Sequence, residues 1–232
     1  MPLSVQVLLY DGFDPLDVIA PFEVLAAAGD VLGGDIDVEL VSAEGPRSVV
    51  SGTRGLTLTA TRALQCDRPG YVIVPGASGP VDGDPDQGVE TIPVLLARLA
   101  DSAAVPILRR ALDNPQVTVA TVCGGSLGLA MAGLIEGRNA VTHILGMDLL
   151  DATGVHAVRA RVVDDGDLIS SGGVTSGLDL ALYLLDREFG TAVARTVEEL
   201  FEYERRGPVW RTGGRVRTAC RPLAPRQVVT NP

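Results

Sequence analysis

The chain contains no lysine: all 19 of its basic residues are arginine. That absence removes Schiff-base catalysis and the lysine of a Walker A phosphate loop from consideration. Cysteine is scarce and odd in number, with Cys66, Cys123 and Cys220 lacking C-x-x-C spacing, so neither a disulfide framework nor a thiolate zinc site is indicated. Histidine is limited to His143 and His156, too few and too far apart to suggest a metal centre. No metal or cofactor is therefore expected. No apolar run reaches the roughly 18 residues that a membrane span needs, and the first ten residues carry no basic n-region. A reducing, cytoplasmic setting away from the membrane is the expectation. Basic surface is also short, since the net charge of −10 disfavours phosphate-backbone binding. Nucleic acid is an unexpected partner.

With 232 residues, 46% of them apolar, the chain is long enough for one sizeable core. Its charge is uneven. Seven arginines and no acid fall between Arg205 and Pro232, leaving 12 basic and 29 acidic residues, a balance of −17, in the first 204. The boundaries expected are an α/β domain over residues 1–205 and an Arg-rich tail over 206–232, which either offsets the acidic body or docks a partner.

Apolar runs bounded by turn residues predict strands at Val5–Leu9, Ile36–Ser42, Tyr71–Val74 and Val117–Val122. Helical spacing predicts helices at Pro15–Ala28, Val89–Asp101, Val105–Asp113, Ser126–Leu134, Ile144–Ala152, Ser176–Phe189 and Ala192–Tyr203. The alternation implies a parallel sheet covered by helices on both faces, with ligands bound beyond the carboxyl ends of the strands. Two hairpins are expected as decoration, Ser48–Thr53 with Leu56–Thr59 and Ala157–Val163 with Leu168–Ser170, the second turning at Asp165-Gly166. Residues Gly76–Gln87 read as a loop at the active end of the sheet.

The strongest chemical signal is Val117-Thr-Val-Ala-Thr-Val-Cys123-Gly124-Gly125-Ser126, in which a buried strand stops, small residues turn and an apolar helix begins. This is a nucleophile elbow in outline, with the glycines permitting a sharp turn and the helix N-terminus near the sulfur. The dipole contributes only about 0.3–1 kcal/mol, so a thiolate needs a hydrogen-bond donor as well. The bland alternative is a cysteine that fills space behind the strand. Gly124 to Gly128 also matches G-x-S-x-G, but Ser126 falls inside the first helical turn and no histidine follows His156 to complete a hydrolase triad. Asp17 reads first as a helix-start acid, with Asp14 as N-cap and Pro15 at the first helical position. His143 reads as a helix-start histidine bonded to backbone, and His156 as surface.

Taken together, Asp17-Val-Ile-Ala-Pro21-Phe-Glu23, Val74-Pro75-Gly76-Ala77, the Cys123 elbow, Thr142-His143 and Gly172-Gly173-Val174-Thr175-Ser176-Gly177-Leu178-Asp179 resemble the DJ-1/PfpI superfamily over roughly residues 3–205. Within it the pattern is most similar to the isocyanide hydratases. That resemblance implies a flavodoxin-like three-layer sandwich of the class I glutamine amidotransferase-like type, a homodimer, and a small-molecule substrate. It turns Asp17 into the partner of Cys123, protonated and donating to a thiolate, so that the pair shares one proton. It also implies an oxyanion or substrate site made from Gly76, Ala77 and Gly124, with Gly172 and Thr175 lining the pocket. The activity implied is hydration of a small isocyanide to an N-formamide. Two departures stand out: Gly124 replaces the threonine that follows the cysteine in isocyanide hydratases, and Ile144 replaces a tryptophan. The alternatives carried are a redox-responsive or glyoxalase-type protein, and a ligand-binding regulator-like domain without its DNA-binding module.

Overall fold

The computed structural model describes residues 2–212. Its frame is a mostly parallel eight-stranded sheet whose order follows from strands too apolar to face water. Leu3–Leu8 (β1), Gly70–Val74 (β6) and Val117–Val122 (β7) are buried nearly throughout and occupy the middle of the sheet. Ile36–Ser42 (β2) and the short Arg62–Ala63 (β5) continue it on one side. On the other side lie Leu168–Ser171 (β11), Val162–Asp164 (β10) and Val209–Arg211 (β12), giving the order β12-β10-β11-β7-β6-β1-β2-β5. Only the β10–β11 pair in this sheet is antiparallel, and its turn falls at Asp165-Gly166 as expected, with Gly166 at φ +91°. Two small sheets lie outside the main one: the antiparallel pair Arg47–Val50 (β3) with Thr57–Ala60 (β4), and the parallel pair Asn139–Ala140 (β8) with His156–Ala157 (β9).

Helices Pro15–Val31 (α1), Ser176–Phe189 (α6) and Thr191–Leu200 (α7) pack on one another over one face. The other face is covered by Ile92–Ala100 (α2), Ala104–Asp113 (α3), Gly125–Met131 (α4) and Met147–Ala152 (α5). The result is the sandwich that the strand–helix alternation predicts. Among the described residues no helix is long and apolar enough to cross a membrane.

Several boundaries differ for local reasons. Helix α2 begins at Ile92, three residues later than expected, because Val89–Thr91 form a loop and Thr91 precedes the proline-bearing first turn. Helix α4 stops at Met131, where Gly133 at φ +65° turns the chain. Ile144–Gly146 is a separate 3-10 turn, so the expected helix over residues 144–152 is α helical only from Met147. Residues 157–163 are not one strand: Ala157 pairs with β8, and β10 starts at Val162.

The sheet also extends past the expected boundary at residue 205. Val209–Arg211 pairs parallel with β10, Trp210 packs against the cluster of Val141, Met147 and Val163, and the Arg211 guanidinium lies 5.3 Å from the centroid of the Tyr183 ring. The segment leading there is anchored by Asp179, which is 2% exposed. Its carboxylate accepts from Arg161 Nε at 2.6 Å, Tyr203 Oη at 3.0 Å and the Arg206 backbone N–H at 2.7 Å. Asp179→Ala, which strands those donors, is expected to cost about 2–3 kcal/mol of stability, measured by urea unfolding. The tail from residue 213 onward, including Cys220, lies outside the described residues.

Candidate active site

Cys123 stands where β7 ends, and the backbone there is unusual. Its φ is +55°, a left-handed conformation that a side-chain-bearing residue seldom adopts and that costs about 1–3 kcal/mol. Three hydrogen bonds hold it. The Cys123 N–H donates to the carbonyls of Ser171 at 3.1 Å and Gly172 at 3.0 Å, and its carbonyl accepts from Thr142 Oγ1 at 2.9 Å. Ser126 Oγ, buried, donates to the Val141 carbonyl at 2.6 Å and so ties the start of α4 to the same strand-end cluster. Ser126 is thus part of the support.

The glycines after the cysteine have a different role from the one the sequence suggests. Gly124 is at φ −67° and Gly125 is already helical, so the left-handed residue of the turn is the cysteine itself. What Gly125 provides is room, because a Cβ there would sit 2.3 Å from the Val74 carbonyl oxygen. Gly125→Ala is expected to lower stability by about 3 kcal/mol, again by urea unfolding. A Cβ on Gly124 would lie 3.2 Å from Leu96 Cδ1 and one on Gly76 would lie 2.6 Å from the Gly124 nitrogen, so this corner is closely packed. The Leu96 side chain occupies the space that a larger residue after Cys123 would need.

Asp17 reaches this corner from the first turn of α1. Asp14 is the N-cap, its carboxylate accepting from the Leu16 N–H at 2.9 Å, as expected. That leaves Asp17 free to turn inward, where it is 0% exposed. Its Oδ2 accepts from the Gly76 N–H at 2.9 Å, while Oδ1 is buried without a partner of ordinary hydrogen-bond geometry. The Cys123 thiol also acts on this carboxyl, favouring its ionised form, without a hydrogen bond of ordinary geometry between them.

Both titrations move in the direction that keeps charge out of this corner. Burial, then the Asp14 charge, raises the Asp17 carboxyl well above its ordinary value of 3.8, against the Gly76 hydrogen bond and the Cys123 thiol, which favour ionisation. Burial, then the Asp17 charge, pushes the Cys123 thiol up to about 12. Ionisation of both groups at once is thereby disfavoured, and the two titrate as a coupled pair. Burial thus acts against the sulfur anion, and the thiolate that the family resemblance implies needs donors to offset it, as the weak helix dipole already required. The backbone N–H groups of Val174 and Gly124 act in the opposite direction and favour the sulfur anion.

Val174 is the residue the sequence reading missed. It lies in the loop between β11 and α6, beside β7 in the sheet, and it holds φ +49°, a true outlier for a β-branched side chain. The neighbouring Gly172 and Thr175 were expected to line a pocket. Gly172 donates its N–H to the Arg161 carbonyl at 3.0 Å and accepts from Cys123, while Thr175 is exposed and its Oγ1 accepts from Arg161 at 2.8 Å. Both brace the loop that carries Val174. Gly76, expected among the oxyanion donors, spends its N–H on Asp17. The Ala77 N–H, in a buried residue bridged to Phe13, has no acceptor among the described residues and remains available. His143 caps the 3-10 turn, Nδ1 accepting from the Leu145 N–H at 3.2 Å, and His156 is exposed, both as the sequence suggested.

A sheet of this order, with a cysteine at positive φ at the end of an interior strand, a buried acid beside it and the unpaired Ala77 amide in the loop after β6, defines an α/β protein with a candidate site at the carboxyl ends of its strands. The chain belongs to the DJ-1/PfpI family. That family's profile matches residues 95–187. The isonitrile hydratase of Pseudomonas putida is 32% identical over 88% of this chain and 79% of its own. An HTH-type transcriptional regulator of Pseudomonas aeruginosa is 28% identical over 84% of this chain, which spans 53% of that protein. Among solved structures, Drosophila melanogaster DJ-1beta superposes with a TM-score of 0.71 at 21% identity, covering 88% of this chain and all of that one.

Proposed function

We propose that the chain is a cysteine-dependent hydratase that converts a small isocyanide to an N-formamide. The observation that carries this reading is Cys123, held at φ +55° at the end of β7, with the buried carboxyl of Asp17 acting on it, in a chain 32% identical to an isonitrile hydratase over most of its length. An isocyanide needs a nucleophile on its terminal carbon and a proton delivered to the same carbon, and one shared proton between thiol and carboxyl supplies both.

In the first step Cys123 Sγ, as thiolate, forms a bond to the isocyanide carbon while protonated Asp17 gives its proton to that carbon. The product is a thioimidate, R–N=CH–S–Cys123, and Asp17 is left as carboxylate. Asp17 then takes a proton from water as the hydroxyl adds to the carbon, and the nitrogen receives that proton. Collapse of the tetrahedral adduct returns the hydroxyl proton to Asp17, breaks the C–S bond and releases R–NH–CHO. One water is consumed, and the pair recovers its proton. The Ala77 N–H faces charge developing on the adduct, and the Val174 and Gly124 N–H groups stabilise the departing sulfur anion.

The test is N-formamide formation from simple alkyl and aryl isocyanides, followed by mass spectrometry. Catalytic conversion is expected. Formation no faster than in buffer overturns the reading. The same proposal includes a homodimer, for which sedimentation at micromolar concentration should return twice the chain mass of 24.2 kDa.

A further inference from the structure

Tyr10 is a buried titratable group that the proposed chemistry leaves unused. It follows β1 at the mouth of the loop leading into α1, and it is 7% exposed. Its hydroxyl donates to the Pro75 carbonyl at 3.3 Å. The N–H of that same peptide unit belongs to Gly76, and it donates to Asp17 Oδ2 at 2.9 Å. One amide plane therefore joins the phenol to the acid: the proton of Tyr10 is given to one end, and the proton at the other end is given to Asp17.

The adjoining peptide is held in the same manner. The Gly76 carbonyl accepts from the Asp14 N–H at 2.9 Å, and the N–H of that peptide unit is the unpaired one of Ala77. The loop from Tyr10 to Asp14 thus grips both peptides that flank Gly76, one through a side chain and one through backbone. Gly76 carries no side chain to resist the orientation, and a Cβ there would meet the Gly124 nitrogen at 2.6 Å and Asp17 Oδ2 at 2.9 Å.

We propose that Tyr10 is a positioning residue for Asp17, acting through the Pro75–Gly76 peptide: its hydroxyl fixes the plane of that amide and polarises it, which strengthens the Gly76 N–H bond to the carboxylate. Hydrogen bonds in series reinforce one another. The inference rests on Asp17 and Cys123 sharing a proton, and it does not depend on which substrate the site takes.

The experiment follows alkylation of Cys123 by iodoacetamide against pH, read at Cys123 by peptide mass spectrometry, in the full chain. Four proteins are compared: wild type, Tyr10→Phe, Asp17→Asn and the double variant. Phenylalanine keeps the ring and its packing, so a space-filling role predicts no change. Loss of the hydroxyl weakens donation to the Asp17 carboxylate and so disfavours the one-proton form of the pair in which that carboxylate faces the thiol. The acid-side midpoint of the profile is then expected to rise by about half a pH unit in Tyr10→Phe. In the Asp17→Asn background the same substitution should leave the midpoint where it is. An unmoved midpoint in Tyr10→Phe, with Asp17→Asn shifting it, overturns the inference alone. A midpoint that Asp17→Asn also leaves unmoved overturns it together with the shared-proton reading. An equal shift from Tyr10→Phe in both backgrounds overturns it too, because the tyrosine would then act without Asp17.

Discussion

Cys123→Ala is expected to reduce N-formamide formation from an isocyanide by at least a factor of about a thousand, to the level seen without protein. The loss should appear in kcat as well as kcat/KM, because the sulfur is the atom that becomes bonded to the substrate carbon. The fold should survive. Alanine leaves in place the backbone bonds to Ser171, Gly172 and Thr142 that hold residue 123 at φ +55°, and the side chain removed is small. Circular dichroism and the urea midpoint of the variant separate a lost nucleophile from a lost structure. Serine at the same position should be similarly inactive, its hydroxyl being far harder to ionise than a thiol in the same buried corner.

Asp17→Asn has the second large effect, and it moves activity and stability in opposite directions. Without a carboxyl, neither delivery of a proton to the substrate carbon nor activation of water is possible, and kcat should fall by about 10²–10⁴-fold. Stability follows the linkage between folding and protonation. Burial raises the Asp17 carboxyl above 3.8 in the folded chain, so the folded state holds a proton that the unfolded state has released. Stability from this residue is intact below that unfolded value and declines as pH rises toward the folded one. Asparagine does not ionise and avoids the decline. The variant should therefore melt higher than wild type at about pH 7, and the advantage should shrink as pH is lowered toward about 4. A variant that melts lower at neutral pH would contradict the account of Asp17 as a buried, proton-holding acid.

Much of this site is legible in the sequence, and the portions that are not share a physical cause. The Cys123 elbow declares itself because a six-residue buried strand, a run of small residues and an apolar helix follow without interruption. Asp17 was ambiguous from its own surroundings, since an acid three residues past an N-cap serves the helix dipole equally well; only the resemblance to a family pointed it inward. Val174 gave no local signal at all. A β-branched residue at positive φ runs against its intrinsic preference, and it is kept there by the bracing of Gly172 and Thr175 by Arg161, contacts made between the adjoining ends of β10 and β11. Tyr10 reads as the apolar end of a strand, and its meaning arises from a carbonyl 65 positions later. The strand at Val209–Arg211 was hidden by its length and by the arginines around it, which suggest a solvated tail until β10 offers an edge. Sequence spacing locates the residues that act within one element; tertiary pairing decides which amides point at them.

The most direct test of the central claim, that Cys123 bonds covalently to the substrate carbon, is rapid acid quenching of the wild-type protein during turnover of an isocyanide, followed by intact and peptide mass spectrometry. The account predicts a transient species heavier by one isocyanide, with the added mass on the peptide that carries Cys123 and absent from Cys123→Ala. Formamide produced at an undiminished rate by Cys123→Ala, with no adduct on the wild-type Cys123 peptide at any quench time, would contradict it.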